Sequence, residues 1–161
     1  MKQGGETAIK NGEQLEDLVK KVLDDQEYQF VERNKFVLAT NGLKQKLYTQ
    51  QLVICESIYS IEECKHKLRA DFIVYDPGKE GKIIIKCKSQ TSAGSVDEKY
   101  PYLIENIKCK YPPSCKTIII LDAPAAKKGA KIWLKEQEKT NKKLQVFQNF
   151  SEFRAWAIKN L

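Results

Sequence analysis

The sequence predicts an α/β fold with one mixed central β-sheet flanked by helices. Three observations indicate it: an amphipathic helix pattern near the start, segments rich in β-forming residues in the middle, and alternating helix and strand patterns in the remainder. A chain of 161 residues has the usual size of one domain, so we expect residues 1–161 to fold as a single unit.

The first helix is indicated by apolar residues that recur at the spacing of one helical face. They are Leu15, Leu18, Val19, Val22 and Leu23. We place this helix at about residues 12–25. Residues 1–11 are rich in glycine and polar residues, so we expect them to form a flexible arm.

Five segments of β-forming residues follow, and polar or glycine-containing turns separate them. They span Tyr28 to Val31, Phe36 to Ala39, Leu47 to Cys55, Asp71 to Tyr75 and Lys82 to Cys87. The run Ile83-Ile84-Ile85 in the last segment is unbroken rather than alternating, which is typical of a central strand covered on both faces.

Helix and strand patterns alternate over the second half of the chain. Ser95 and Glu98 have the spacing of a capping box and predict a helix that continues to about Cys109. The remaining elements are a strand at Thr117 to Leu121, a helix at Lys128 to Glu138, a strand at Leu144 to Phe147 and a helix at Ser151 to Asn160. This order of elements favours a mixed sheet with helices packed against it.

The composition favours an anionic partner. Lys and Arg number 28 against 21 Asp and Glu, a formal charge of +7, which is typical of proteins that bind nucleic acid or an acidic surface. No apolar run approaches the roughly 20 residues that span a bilayer. The start of the chain has no hydrophobic signal core, so we expect a soluble cytoplasmic protein without a membrane partner.

Histidine and cysteine usage narrows the chemistry. The single histidine, His66, excludes mechanisms that need two and makes a histidine-rich metal site an unfavourable interpretation. The five cysteines are odd in number and lack Cys-x-x-Cys spacing, so neither a disulfide framework nor a zinc ribbon is indicated.

One pair of neighbouring strands carries a cluster of charged residues. Asp71 opens the first strand, and the second ends in Lys86-Cys87-Lys88-Ser89-Gln90. If the two strands are adjacent, Asp71 lies close to residues 86 and 88. Side chains at i and i+2 share a face of a strand, so Lys86, Lys88 and Gln90 are expected on the same side.

This pattern resembles the PD-(D/E)XK, or restriction-endonuclease-like, nuclease superfamily. The family motif is an Asp at a strand start, then a neighbouring strand with Glu or Asp, any residue, and Lys, often followed two residues later by Gln. The resemblance puts Asp71 at the motif Asp, Lys88 at the motif Lys and Gln90 at the trailing Gln. Lys86 stands where the family has its acidic residue.

Two further segments extend the resemblance. Gly12 to Glu16 looks like the Gly-x-x-x-Glu of the family's first helix and makes Glu16 an accessory acidic residue. Gly94 to Leu103 is similar to the segment after the motif in a subgroup of small proteins akin to type II restriction enzymes. The resemblance therefore implies a restriction-endonuclease-like core and Mg²⁺-dependent hydrolysis of DNA phosphodiesters, of restriction type.

The resemblance also implies roles for the motif residues. Asp71 and the backbone carbonyl of Cys87 would hold the metal together with an acid at position 86, Lys88 would assist the attacking water, and Glu16 and Gln90 would support the site. An ammonium has three donors and no acceptor, so Lys86 cannot ligate a cation and repels it instead. We therefore expect that Mg²⁺ is not bound and that this copy is inactive.

Two questions stay open at this stage. The chain is either such a nuclease with a disabled site or a non-catalytic DNA-binding or assembly module that keeps the fold. Lys86 is either natural, in a degenerate copy, or a replacement made to inactivate a nuclease. The otherwise intact motif favours replacement.

The expected partners are double-stranded DNA and another protein chain. Four lysines are candidates for a phosphate-binding face: Lys108, Lys110, Lys127 and Lys128. One active site cuts one strand, and 161 residues leave little room for a separate recognition domain. We therefore expect a homo-oligomer or a larger recognition subunit.

Overall fold

The structure, a computed structural model, describes residues 3–39, 44–90 and 97–161, with side chains at 13–36, 44–90 and 97–161. The α-helices are α1 Gln3–Asp25, α2 Arg33–Ala39, α3 Tyr100–Cys109, α4 Lys128–Glu136 and α5 Phe150–Asn160. The strands are β1 Gln29–Phe30, β2 Leu47–Gln50, β3 Val53–Glu56, β4 Lys67–Arg69, β5 Phe72–Tyr75, β6 Lys82–Ser89, β7 Lys116–Asp122 and β8 Leu144–Phe147. Short 3-10 helices occupy Asp97–Lys99 and Gln137–Lys139.

The described strands form a six-stranded mixed sheet and a separate hairpin. The order in the sheet is β1-β2-β5-β6-β7-β8, and β3 pairs with β4 outside it. The pairs β2/β5 and β5/β6 are antiparallel, whereas β1/β2, β6/β7 and β7/β8 are parallel. This arrangement confirms the predicted α/β class with a mixed central sheet.

Two apolar cores cover the two faces of the sheet. One is built by α1 and α5, which bury Leu15, Val19 and Phe153 against the sheet. The other is built by α3 and α4 and contains Leu103 and Leu134. In β6, Ile83 and Ile85 belong to the first core and Ile84 to the second, so the strand is covered on both faces as the Ile run predicted.

Three predicted boundaries are wrong. Helix α1 begins at Gln3 rather than at about residue 12, so residues 3–11 are helical. The expected strand Phe36 to Ala39 is part of α2, where Phe36 N–H donates to Glu32 O in the helical i to i−4 pattern and its ring enters the second core. The predicted strand Leu47 to Cys55 is divided by Gln51, whose φ of 54° interrupts an extended strand.

Other boundaries need smaller changes. Strand β4 was not predicted, because its three residues are two exposed cations and one leucine. The proposed capping residue Ser95 lies outside the described residues. Helix α3 begins at Tyr100 after the 3-10 turn, with Pro101 in its first turn, where a missing N–H does no harm.

The tight turn between β5 and β6 sets their register. Asp76 Oδ1 accepts from Gly78 N–H at 2.8 Å, and Gly81 adopts φ of 77° with its backbone packed on the Ser114 carbonyl, where a side chain would not fit. The register pairs Phe72 with Ile85, which places Asp71 across from Lys86. Within the described parts of the chain, no helix is long and apolar enough to cross a bilayer.

Candidate active site

The predicted neighbours Asp71 and Lys86 form an ion pair. Lys86 Nζ donates to Asp71 Oδ1 at 2.7 Å and to the Arg69 carbonyl at 2.8 Å. The backbone N–H of Cys87 donates to the other Asp71 oxygen, Oδ2, at 2.6 Å. The Lys86 and Asp71 side chains are only 11% and 13% exposed. Both oxygens of the carboxylate therefore accept a hydrogen bond, one of them from a cation in a largely buried place.

Glu16 reaches this pair from α1. Its neighbours Leu15 and Val19 are buried in the first core, which fixes the helix against the sheet. Burial raises the pKa of the Glu16 carboxyl, the charge of Asp71 raises it further, and the charge of Lys86 opposes them. Glu16 therefore interacts electrostatically with both members of the pair, and its accessory role stays a prediction.

Lys88 belongs to the same electrostatic cluster. It lies two residues beyond Lys86 on β6 and is half-buried. Burial lowers the pKa of the Lys88 ammonium, the charge of Lys86 lowers it further, and the charge of Asp71 acts in the opposite direction. The cluster therefore holds two cations and two acids within a short distance of one another.

Gln90 and Cys87 are close in sequence but differ in surroundings. Gln90 is buried just after β6, where its N–H donates to Asp122 O at 3.1 Å and its carbonyl accepts from Ala125 N–H at 3.3 Å. Cys87 packs against the first core. Burial raises the pKa of its thiol well above the ordinary value, and the charge of Asp71 adds to the rise. The thiol therefore stays neutral.

The lysines proposed to bind phosphate do not lie together. Lys127 and Lys128 lie at the start of α4. The Lys127 N–H donates to Oδ2 of Asp97, just before α3, at 3.2 Å, so the starts of the two helices are close together. Lys108 Nζ donates to Gln137 Oε1 at 3.3 Å, so it lies at the opposite ends of those helices, with Lys110 just beyond. A helix of this length separates the two pairs by about 14 Å. They do not form one compact patch.

Gln51 is a member of the site that the residue pattern did not reveal. Its side chain is hydrogen-bonded to Glu16, and its backbone N–H donates to Asp71 O at 3.2 Å. The contact of Gln51 with Glu16 and Asp71 was not predicted, because no characteristic sequence marks a glutamine with a left-handed backbone between two strands. The contact of Lys86 with the Arg69 carbonyl was also not foreseen, since it depends on the path of β4 into β5.

A comparison with protein families agrees with this geometry. Residues 7–161 match the model described as a PD-(D/E)XK nuclease superfamily domain. The chain belongs to the PD-(D/E)XK nuclease superfamily. No curated protein and no solved structure matches the chain. PD-(D/E)XK proteins are generally nucleases that use divalent metals, so the residues around Asp71 are the place to test for such a metal.

The residues present do not fit a divalent cation. A divalent metal in such a site needs several oxygen ligands. Here both Asp71 oxygens already accept hydrogen bonds, one from the Lys86 ammonium at 2.7 Å and the other from the Cys87 N–H. Among the residues that the structure describes, no group of three or more His, Cys, Asp or Glu side chains is arranged to hold a metal. The chemistry of the donor set, with an ammonium at its centre, favours anions over cations.

The pKa shift of Glu16 gives a prediction for stability. Because the pKa is higher in the folded state than in the unfolded chain, ionisation of Glu16 favours unfolding at neutral pH, and this effect disappears once both states are protonated. Glu16→Gln, which resembles the neutral form, should therefore raise the free energy of unfolding at neutral pH. The gain should shrink as the pH falls toward about 4.

Urea denaturation across this pH range measures the effect, and Glu13→Gln, at an exposed position of the same helix, is the matched control. A loss of stability at neutral pH in Glu16→Gln would mean that Glu16 acts as an ionised partner of Lys86 instead.

Proposed function

We propose that this chain is an endonuclease domain of restriction type that binds duplex DNA but does not cleave it, because Lys86 blocks the metal site. The observation that carries the proposal is the 2.7 Å ion pair between Lys86 Nζ and Asp71 Oδ1, at the positions that the resemblance assigns to the family motif. The roles of Glu16, Lys88, Gln90 and the Cys87 carbonyl in the ancestral reaction are part of the same proposal.

The chemistry of phosphodiester hydrolysis explains why one lysine is enough. The reaction needs a strong positive charge at the phosphate and a hydroxide formed at neutral pH, and a divalent cation supplies both. Replacing a carboxylate by the Lys86 ammonium changes the site by two units of charge. An ammonium about 4 Å from a divalent ion repels it by several kcal/mol even at an effective dielectric of about 20.

The same charges favour DNA binding without a metal. Lys86 and Lys88 balance Asp71 and Glu16, so this group of residues carries no excess of negative charge to repel a phosphate. With an acid at position 86, three carboxyl groups would face one lysine and a phosphate would need a cation to approach. The net charge of +7 supports duplex DNA as the partner.

One observation favours the alternative, in which the chain is naturally a non-catalytic DNA-binding or assembly module that keeps the nuclease fold. Lys86 has two oxygen acceptors at 2.7 and 2.8 Å and is largely buried, so the ammonium is well accommodated by the fold. A lysine that fits this well is expected in a chain that has long carried it. The codon for position 86 in the source gene distinguishes the two: a Glu codon supports the disabled enzyme, and a Lys codon supports the module.

Duplex DNA binding is the first prediction that follows from the proposed function. The purified protein should bind a fluorescent duplex with an affinity that falls steeply as salt rises, because lysine contacts with phosphate release counterions. Mg²⁺ should not be required, so binding should persist in EDTA. Fluorescence anisotropy at two salt concentrations measures it, and absence of binding at both would overturn the proposed partner.

The number of active sites gives the second prediction. A domain of this fold has one active site and cuts one strand, so a nuclease of this kind needs two copies or a partner subunit to cut a duplex. We expect a particle larger than the 18.5 kDa monomer, alone or with a co-purifying chain. Light scattering of the purified protein tests this, and a monomer with no partner would leave a single-strand nicking domain as the ancestral activity.

The third prediction concerns position 86. The unsubstituted protein should show no Mg²⁺-dependent cleavage of DNA, whereas Lys86→Glu should create it by supplying a ligand and removing a repelling charge. Mg²⁺ should also raise the unfolding temperature of Lys86→Glu and leave that of the unsubstituted protein unchanged. Gel assays of DNA cleavage and thermal unfolding with and without Mg²⁺ measure the two effects.

The matched controls are further substitutions at positions 86 and 88. Lys86→Gln removes the cation without adding a carboxylate and should gain neither activity nor metal stabilisation. Lys88→Ala combined with Lys86→Glu should lose cleavage again but keep the thermal shift. If Lys86→Glu stays inert with Mg²⁺ and Mn²⁺ on varied DNA, the catalytic assignment of β6 is wrong; if the unsubstituted protein cleaves, Lys86 does not block the site.

A further inference from the structure

Two arginines converge on one backbone oxygen beside the Asp71–Lys86 pair. Arg33 Nη1 and Arg69 Nη1 both donate to the Gln51 carbonyl, at 3.4 and 3.1 Å. Both side chains are exposed. The chain has only three arginines among its 28 basic residues, so the meeting of two of them at one atom is a specific feature of this surface.

Three separate elements create this arrangement. Arg33 is the first residue of α2, Arg69 is the last residue of β4, and Gln51 lies between β2 and β3 with φ of 54°. A non-glycine residue rarely adopts this backbone conformation, and it persists where the surroundings impose it. Here the Gln51 N–H is held by Asp71 O at 3.2 Å, and the carbonyl accepts from both guanidinium groups.

The two guanidinium groups are not neutralised. Because both Nη1 atoms contact the same carbonyl oxygen, they are at most 6.5 Å apart, which is the sum of the two hydrogen-bond distances. At this separation the two positive charges repel each other. The carbonyl carries only a partial charge, and within the described ranges neither Arg33 nor Arg69 forms an ion pair with a carboxylate. Each group uses one of its five donors on Gln51. The remaining donors are available for an anion.

The position of the pair identifies the anion. The carbonyl of Arg69 accepts from Lys86 Nζ at 2.8 Å, and the side chain of Gln51 is hydrogen-bonded to Glu16. The arginines therefore adjoin the Asp71–Lys86 pair, where we propose that a phosphodiester binds. A guanidinium fork matches the oxygens of a phosphate and is the common choice for backbone contacts with nucleic acid.

We infer that Arg33 and Arg69 form a clamp for a backbone phosphate of duplex DNA, next to the phosphodiester that the proposed function places at the Asp71–Lys86 pair. This inference rests on the proposed function, since it places a second contact on the same strand. The clamp orients the DNA through two planar groups on two different elements, whereas the scattered lysines contribute only general attraction.

The test is the salt dependence of DNA binding in substituted proteins. Arg33→Gln combined with Arg69→Gln should weaken duplex binding at least tenfold and lower the slope of log affinity against log salt by about 0.9, the value for one lost phosphate contact on B-DNA. Arg33→Lys combined with Arg69→Lys retains the charge and should keep the slope while binding more weakly, since the fork is lost.

Arg154→Gln, which removes the third arginine from an exposed position on α5, is the matched control and should leave both quantities unchanged. Urea denaturation of each variant separates loss of binding from loss of fold. Competition with inorganic phosphate identifies the ligand: if the arginine pair binds free phosphate but its removal leaves DNA binding unchanged, the inference is overturned. An unchanged slope in a folded Arg33→Gln, Arg69→Gln protein overturns it as well. Failure of the unsubstituted protein to bind DNA would instead overturn the proposed function.

Discussion

The Asp71 carboxylate is the point on which the rest of the site depends. One oxygen accepts from the Lys86 ammonium and the other from the Cys87 N–H, so strands β5 and β6 are joined by side-chain contacts as well as by their ladder. Taking two charges out of water is costly, and the pair is stable only because further hydrogen bonds satisfy both groups. The Arg69 carbonyl supplies one of them. Removing one member of such a pair typically costs about 3–5 kcal/mol.

Strand pairing in the sheet fixes the relative positions of Asp71 and Lys86. The turn that contains Asp76 and Gly81 fixes the register of β5 and β6, and the parallel neighbour β7 extends the pairing to Ser89 and Asp122. On one face, the packing of α1 brings Glu16 to the same end of the sheet. Among the residues that the structure describes, the site is therefore assembled from a helix, two strands and one irregular residue, Gln51.

The sequence was informative where a residue pattern has one physical meaning. The Ile83-Ile84-Ile85 run predicted a covered central strand, and the expected adjacency of the two strands predicted that Asp71 and Lys86 would lie close together; the structure shows both. Short apolar segments were less informative. Phe36 to Ala39 suits a helix or a strand equally, and only packing against the second core decides for the helix.

Tertiary contacts account for what the sequence did not reveal. Gln51 enters the site through its backbone conformation, and Arg33 and Arg69 meet because the start of α2 lies close to the end of β4, which no local pattern records. The four lysines chosen as phosphate ligands were close in sequence but are divided between the two ends of α3 and α4. Charge in a sequence indicates a class of partner and leaves the contact surface undetermined.

The burial of Lys86 has a consequence for how this domain can evolve. Under the proposed function, the Lys86 ammonium supplies from within the chain the positive charge that a divalent metal would otherwise bring to the site. A change from Lys to Glu at position 86 needs one base change in the codon, but the new carboxylate would stand beside Asp71 with nothing between them. On that proposal, a chain that gains the carboxylate is less stable wherever free metal is scarce, and this asymmetry favours retention of the lysine.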